Sequence, residues 1–302
     1  MAHQLQASTA ETAVDSIARY TDQPSLVVRI NAQMVKSMPA STTKSEQLNV
    51  LFTRIWKEAT QLFPDVDYIY YGDKFGAFVG YERLPPEFIE KYAEETVFGA
   101  EFKAYEGAPN LQLCAMCPPA SAVRPGEKTY YFVNSEGKYL RSYKIHSYDP
   151  RIRPWYQDAV KANGELVWRG VYNHSSGHTL GMTASQAIMQ GSEVVAVVAA
   201  DFTISYFSEY LKKVTGIIRG EQGFIIDMKS GLLVASSYGI DHVSKTIFLD
   251  NKGASRVQYH WNEVNDLSVR SSIRALVDDV FQQGRAWLFL ARSPDNRTAA
   301  RL

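Results

Sequence analysis

Apolar side chains near the start of the chain recur with the period of an α-helix. One continuous stripe at this spacing consists of Leu48, Leu51, Phe52, Ile55, Trp56, Ala59 and Leu62. Pro64 marks the end of the stripe, since a proline cannot continue a helix. Residues 1–35 are also predicted to be helical, and Pro24 is expected to kink or divide this segment. The pattern therefore predicts an N-terminal helical region over residues 1–62.

Three later segments share the pattern of a β-hairpin, in which two apolar strands flank a turn with Asp or Asn and a following Gly. They are YIYYGDKFGAFVGY from Tyr68, YYFVNSEGKYLRSY from Tyr130 and GFIIDMKSGLLVAS from Gly223. Gly permits positive φ in such a turn, and Asp or Asn hydrogen-bonds to the local backbone. Three copies of this hairpin favour tandem related sheets over one closed barrel.

One helix, three strands and a second helix are predicted between the second and third hairpins. Pro154 suits the first turn of a helix, and Asn163-Gly164 suits its end. The alternating pattern then predicts strands over residues 166–172, 179–188 and 194–202. An amphipathic helix over residues 204–213 is expected to connect these strands to a smaller sheet. The predicted fold class is therefore α+β.

Charge and hydropathy argue against a nucleic-acid-binding protein and against a membrane-spanning helix within this sequence. Lys plus Arg equals Asp plus Glu at 32 each, so the chain lacks the basic excess of a nucleic-acid-binding protein. No run of about 18 apolar residues that could span a bilayer occurs, and residues 1–9 lack the apolar core of a signal peptide. A segment taken from between two membrane helices would show the same pattern.

The two cysteines, Cys114 and Cys117, stand in the sequence LCAMCPP. The following Pro118 and Pro119 disfavour the helix that a redox C-x-x-C motif opens, and one pair cannot complete a four-ligand zinc site. We expect a structural pair in a loop, either reduced or disulfide-bonded, with redox catalysis as the alternative. No nucleophile, phosphate-binding or metal-binding motif occurs, so neither an enzyme activity nor a cofactor is predicted, and a hydrolase or redox enzyme is the remote alternative.

Four stretches of the chain resemble, in the right order, the double Cache extracytoplasmic sensor domains of bacterial-type transmembrane receptors. They are LFPDVDYIYYGDKFGAFVG, YDPRIRPWYQDAV, TASQAIMQGSEVVAVVAADFTISYFSEYL and EQGFIIDMKSGLLVASS. These stretches run from Leu62 to Ser237, and the resemblance as a whole covers roughly residues 10–240. The resemblance implies a long N-terminal helix, a membrane-distal PAS-like module with a connector helix over residues 63–215, and a smaller membrane-proximal PAS-like module over residues 216–302.

The resemblance also implies where the chain lies in its receptor, what it binds and how it assembles. Such domains lie outside the cytoplasm between membrane helices, bind a small molecule such as an amino acid, amine or organic acid, and form weak homodimers along the N-terminal helix. Histidine kinases, nucleotide cyclases and chemoreceptors are among the outputs of such receptors. The end of the chain departs from the family: residues 287–290 are expected to form one strand of the final pair, and the proximal module is expected to be cut short or incomplete.

A subset of double Cache domains binds amino acids through a recurring pattern of residues. The matching positions in this chain are Tyr148, Arg153, Trp155, Tyr156, Tyr172 and Asp201. His174 stands where the pattern places an aspartate, and it either replaces that ligand contact or is an exposed turn residue. Arg153 offers a planar fork for a carboxylate, whereas His174 cannot replace an anion beside an ammonium. Recognition of a carboxylate is therefore better supported than recognition of an amine.

Each principal residue of this pattern has a structural alternative. Arg153 alternatively pairs with Asp149 or Asp158, and Trp155 alternatively packs in the core. Asp201 alternatively caps the helix that follows it. For the domain as a whole, the alternative to a ligand sensor is a ligand-free dimerisation or interaction module of the same kind of receptor.

Overall fold

The computed structural model describes most of the chain in separate ranges. They are residues 2–39, 41–83, 102–106, 127–133, 139–173, 180–216, 222–227, 230–239, 243–249, 253–264, 270–271, 274, 287–291 and 297–301. The predictions made for Cys114, Cys117 and His174 lie outside these residues.

Four α-helices are described from end to end. They are α1 (Ala2–Ser37), α2 (Lys44–Lys57), α3 (Pro154–Lys161) and α4 (Ile204–Gly216). A capping box opens α2, in which Thr43 Oγ1 accepts from the Glu46 N–H and the Glu46 carboxylate accepts from the Thr43 N–H. A π-helical turn, Glu58–Leu62, continues α2 up to Phe63.

Pro24 lies inside α1, so it does not divide the N-terminal segment, and a kink at Pro24 stays a prediction. A proline in a helix removes one backbone hydrogen bond and favours a break. Here the next turn carries Val27 and Val28, which are fully buried in the core. Burial of this apolar face offsets the local preference of proline, because packing contributes most of the stability of helices in proteins.

Eight strands form the larger sheet, and β1 lies in its middle. The strands are β1 (Tyr68–Asp73), β2 (Phe78–Arg83), β3 (Phe102–Glu106), β4 (Glu127–Val133), β5 (Tyr139–Ser147), β6 (Leu166–Asn173), β7 (Leu180–Gln190) and β8 (Glu193–Thr203). Their order is β5-β4-β3-β2-β1-β8-β7-β6, and β1 pairs antiparallel with both β2 and β8. The first two predicted hairpins are confirmed as β1–β2 and β4–β5.

The remaining strands form two small sheets. They are β9 (Gln222–Asp227), β10 (Leu232–Ser236), β11 (Ser244–Leu249), β12 (Gly253–Gln258), β13 (Trp287–Ala291) and β14 (Arg297–Arg301). One sheet has the order β10-β9-β13-β14, and β11 pairs with β12. The third predicted hairpin is confirmed as β9–β10, the strand expected at residues 287–290 is confirmed as β13, and the α+β fold class is confirmed.

The chain divides into two compact units, which we call the central unit and the C-terminal unit. The central unit comprises residues 23–170 and 182–202, and the C-terminal unit comprises residues 1–22, 171–181 and 203–302. Within the described residues, no helix has the length and apolar character needed to cross a membrane. The division of the chain into three parts at residues 62 and 215 remains a prediction.

In the central unit, α1 and α2 cover one face of the larger sheet. Leu51 and Ile55 of α2 share a core cluster with Ile69, Tyr71 and Val198, which belong to β1 and β8. Because side chains alternate along a strand, the intervening residues of β1 and β8 face the opposite side of the sheet. The candidate site lies on that opposite face.

In the C-terminal unit, aromatic stacking joins α1 to α4. The Tyr20 ring lies 4.2 Å from the Tyr210 ring and 5.5 Å from the Phe207 ring, measured between centroids. A separate core cluster contains Ile204, at the start of α4, and Phe224 of β9. The connector helix predicted over residues 204–213 is confirmed as α4 and contributes to this core.

A buried polar network links α1 to α2 inside the central unit. Glu58 is fully buried, and its carboxylate accepts from the Asn31 amide at 2.6 Å and from Arg54 Nε at 2.8 Å. Burial raises the pKa of Glu58, while the hydrogen bond from Asn31 and the charge of Arg54 oppose this rise. Asn31 is therefore one of two donors that hold a buried carboxylate.

Replacing Asn31 with alanine should lower the free energy of unfolding by about 1.5–3 kcal/mol, the range for a hydrogen bond to a charged group. The Glu58 carboxylate would stay buried with one donor fewer. Chemical denaturation of wild type, Asn31→Ala and Gln33→Ala measures the effect, since Gln33 is an exposed residue of the same helix. Equal stability of the two variants would contradict a structural role for the Asn31–Glu58 hydrogen bond.

Candidate functional site

Two glycines on the face of the larger sheet opposite α1 and α2 make room for aromatic rings. A Cβ atom at Gly80 would lie 2.6 Å from Cβ of Tyr70, and one at Gly72 would lie 3.0 Å from Cη2 of Trp155. The Tyr68 and Tyr70 rings lie beside each other on this face, with centroids 4.4 Å apart. Absence of side chains at Gly72 and Gly80 therefore lets the rings approach the sheet closely.

Helix α3 and the 3-10 turn before it, Pro150–Ile152, lie over this face. Trp155 of α3 is 2% exposed, and its ring meets the Tyr70 ring edge-on at 4.8 Å. The Ser185 hydroxyl of β7 donates to the Trp155 carbonyl at 3.0 Å. The predicted ends of α3 are confirmed: the helix begins at Pro154 and closes in two left-handed residues, with φ 50° at Asn163 and 93° at Gly164.

Asp201 lies near the end of β8 and is 2% exposed. Its carboxyl accepts from the Tyr70 hydroxyl at 2.8 Å and also hydrogen-bonds the side chain of Thr183. Burial raises the pKa of Asp201 to about 8, the two hydrogen bonds oppose the rise, and the nearby Glu82 adds to it. Asp201 is therefore a buried carboxyl group whose surroundings favour the protonated form.

The alternative in which Asp201 caps the following helix is wrong. The first turn of α4 is capped by Thr203, whose Oγ1 accepts from the Tyr206 N–H at 3.3 Å. The described hydrogen bonds of the Asp201 side chain run instead to Tyr70 and Thr183.

Arg153 is half-buried at the N-terminus of α3. Its two expected acidic partners are engaged elsewhere, since Asp149 pairs with Arg151 at 2.7 Å and Asp158 pairs with Arg169 at 2.7 Å. The alternatives in which Arg153 pairs with either aspartate are therefore wrong. Among the residues that the structure describes, the Arg153 guanidinium forms neither a hydrogen bond nor an ion pair.

Tyr148 completes the group of side chains around Arg153. The Trp155 indole N–H donates to the Tyr148 hydroxyl, and the Tyr148 ring lies 4.8 Å from the Phe78 ring. Burial raises the pKa of Tyr148, while the hydrogen bond from Trp155 and the charge of Arg153 oppose the rise. Arg153 also acts electrostatically on Asp201, so its charge bears on both groups.

The other predicted site residues differ in their placement. Tyr156 is buried, and its ring lies 5.4 Å from the Trp155 ring. Burial raises the pKa of Tyr156 to about 12, with a further contribution from Asp73 in the β1–β2 hairpin. Tyr172 is half-buried on β6 and belongs to the C-terminal unit. A ligand-binding role for each of these residues stays a prediction.

Three residues of this face were missed by the sequence interpretation, namely Tyr70, Glu82 and Thr183. The alternation in YIYY does indicate that Tyr68 and Tyr70 share one face of β1. Glu82 and Thr183 lie about 100 residues apart, on strands β2 and β7. They reach the same face only because β1 and β8 lie between them in the sheet order.

Comparison with known proteins finds a family model that matches part of the chain. Residues 108–209 match the family model of the methyl-accepting chemotaxis protein-like first PDC sensor domain. The match covers about a third of this chain, so over these residues the chain is similar to such a sensor domain. The matched range includes α3, Arg153 and Asp201, so the candidate site lies partly within it.

Two curated proteins of Bacillus subtilis (strain 168) are similar to part of this chain. Methyl-accepting chemotaxis protein McpB is 34% identical over 131 residues, which are 41% of this chain and 19% of McpB. Methyl-accepting chemotaxis protein McpC is 30% identical over 115 residues, which are 36% of this chain and 17% of McpC. The matched part of the chain thus spans less than a fifth of the length of these relatives.

Solved structures of chemoreceptor ligand-binding domains are also similar. Campylobacter jejuni Tlp3 in complex with L-norvaline has a TM-score of 0.49 at 12% identity, over 98% of this chain and 88% of that one. Pseudomonas aeruginosa PAO1 PctC in complex with GABA has a TM-score of 0.43 at 14% identity, over 77% of this chain and 74% of that one. The similarity to sensor domains therefore rests on the match over residues 108–209 and not on these likenesses.

Proposed function

We propose that the sensor domain binds a small molecule bearing a carboxylate, such as an amino acid or an organic acid, on the sheet face beneath α3. The observation that carries this proposal is the Arg153 guanidinium, which is half-buried and has no hydrogen bond or ion pair among the described residues. A partly desolvated charge without a partner costs free energy, and a ligand carboxylate would offset that cost.

The chemistry of the surrounding groups supports a carboxylate. The planar guanidinium of Arg153 can form two parallel charge-assisted hydrogen bonds with one carboxylate. Tyr148 and Trp155 are joined by a hydrogen bond beside it and supply rigid aromatic walls. Aromatic walls with a few fixed polar groups are typical of small-molecule sites.

The relatives support a role in signal transduction. Both curated relatives are methyl-accepting chemotaxis proteins, and both are much longer than the matched part of this chain. We infer that the chain is the extracytoplasmic sensory part of a membrane-anchored receptor of this kind. A weak homodimer along α1, strengthened by ligand through linkage, remains part of the proposal.

A ligand-free interaction module is the second candidate function. Trp155 favours it, because its buried ring packs at 4.8 Å from Tyr70 and 6.4 Å from Phe78 and so fills part of the face. A module that binds no ligand would not need an arginine that is available to bind a carboxylate. Arg153 therefore favours a sensor, and a binding screen separates the two functions.

A thermal-shift screen tests the proposed function with matched sets of compounds. Each set contains an L-amino acid, the same molecule without its amino group, and the amine that remains when the carboxylate is removed. Carboxylate-bearing members should raise the Tm, since a ligand at a hundredfold excess over its Kd stabilises by about 2.7 kcal/mol. Absence of a shift across all sets, or equal shifts from the amines that lack a carboxylate, would contradict the proposal.

A further inference from the structure

Two buried carboxyl groups lie on either side of Tyr68 on the face that carries the candidate site. Tyr68 of β1 is paired in register with Asp201 of β8 on one side and with Glu82 of β2 on the other. Directly paired residues of neighbouring strands share a face, so Asp201 and Glu82 flank Tyr68 on the same side of the sheet. Asp201 is 2% exposed and Glu82 is 7% exposed.

The described groups that surround the Asp201 carboxyl come from each neighbouring element. They are Tyr68 and Tyr70 of β1, Glu82 of β2, Thr183 of β7, Tyr148 and Arg153 next to α3, and Asp67, whose N–H donates to the Asp201 carbonyl at 3.0 Å. Arg153 is the cation of this set. Its guanidinium is half-buried and does not lie within ion-pair distance of the described carboxylates.

Ionisation of Asp201 would therefore place a negative charge in a buried position, where the nearby Glu82 disfavours it further. Burial and a nearby like charge both disfavour the ionised form of a carboxyl group. The hydroxyls of Tyr70 and Thr183 offset part of this cost but bring no positive charge. The balance agrees with a pKa of Asp201 raised to about 8, chiefly by burial.

We propose that Asp201 carries a proton in the empty domain and releases it to solvent when a ligand ammonium binds beside it. The inference rests on the proposed function, because Arg153 would hold the carboxylate of the same ligand. In the balanced step, the O–H bond of the Asp201 acid breaks, its proton passes to water, and the carboxylate accepts hydrogen bonds from the ammonium. A ligand with a carboxylate and no ammonium leaves the proton on Asp201.

Proton release makes the specificity of the sensor depend on pH. Below the pKa of Asp201, the affinity for an amino acid should rise up to about tenfold for each pH unit, and it should level off above about pH 8. The affinity for a simple carboxylate should lack this increase. The domain would therefore discriminate amino acids from simple organic acids more strongly in neutral and mildly alkaline surroundings than in acidic ones.

The protonation of the empty domain is tested without any ligand. A carboxyl whose pKa is raised by folding stabilises the folded state fully below its unfolded pKa of about 3.9, and this stabilisation is lost as pH rises toward the folded pKa. The unfolding equilibrium of wild type and Asp201→Asn should therefore diverge between about pH 4 and 8, by up to about tenfold per pH unit. Asp22→Asn, at an exposed aspartate of α1, is the control and should follow wild type.

Calorimetry then tests proton release on binding. The probes are the amino acid that raises the Tm most in a panel of the twenty L-amino acids, and the same molecule without its amino group. Titrations at pH 7 in two buffers of different ionisation enthalpy should show release of close to one proton for the amino acid and none for its analogue.

The outcomes separate this inference from the proposed function. Parallel pH profiles of wild type and Asp201→Asn, or an amino acid that binds without proton release, would contradict the protonation of Asp201 in the empty domain. Neither result would contradict the proposed carboxylate site. If no amino acid in the panel binds, the inference is overturned as well. Failure of every carboxylate in the matched screen would instead overturn the proposed function itself.

Discussion

Replacement of Trp155 with alanine should lower the free energy of unfolding by about 3–5 kcal/mol, the range for truncating a buried aromatic side chain to alanine. The Trp155 ring is 2% exposed and contacts the rings of Tyr70, Tyr156 and Phe78. A Cβ atom at Gly72 would lie only 3.0 Å from this ring, so the ring packs directly against the glycine. Removal of the ring would open a cavity that Gly72, which has no side chain, cannot fill. Chemical denaturation followed by circular dichroism measures the loss.

Trp155→Phe is the matched control for this prediction. It keeps an aromatic ring in the cluster but removes the indole N–H that donates to Tyr148. We expect it to cost about 1–3 kcal/mol, mostly from the buried tyrosine hydroxyl that loses its donor. A loss below about 1 kcal/mol for Trp155→Ala would show that the ring does not hold α3 on the sheet.

Replacement of Arg153 with alanine should weaken binding of the carboxylate found in the screen by about 30-fold or more. This corresponds to about 2–5 kcal/mol for truncating one side of a buried charge-assisted pair. Among the described residues, no second cation lies beside Tyr148 and Asp201 that could bind the carboxylate in place of Arg153. Isothermal titration calorimetry on wild type and variant measures the change in Kd.

Two further variants make the Arg153 experiment specific. Arg151→Ala removes an exposed arginine two residues away that is paired with Asp149, and it should leave the affinity unchanged. Arg153→Lys keeps the charge but loses the planar fork, so its affinity should fall between wild type and Arg153→Ala. Equal affinities of wild type and Arg153→Ala would mean that Arg153 is structural and that the carboxylate is held elsewhere.

Local sequence signals predicted most elements of the fold. The ends of α3 follow from Pro154 and from Asn163-Gly164, whose conformational preferences act within a few residues. The effect of Pro24 could not be predicted in this way, because the fully buried Val27 and Val28 determine the path of α1 there. Packing against distant residues overrides a local preference when the buried apolar area is large.

The candidate site shows the same division between local and distant signals. Arg153, Trp155 and Asp201 stand in a recognisable pattern, whereas Glu82 carries no local signal of its role. The position of Glu82 in the site follows from the strand register, which places Glu82 and Asp201 on either side of Tyr68. The order of strands around β1 is a property of the whole sheet and is not contained in any short stretch of sequence.

The boundaries of the two compact units lie inside secondary-structure elements. They cross α1 after residue 22, β6 after residue 170, β7 after residue 181 and β8 after residue 202. Expression of either unit alone would need several chain breaks, each of them within a helix or a strand. Chimaeras made with related chains and evolutionary recombination are therefore expected to exchange both units together, even though the chain has two centres of packing.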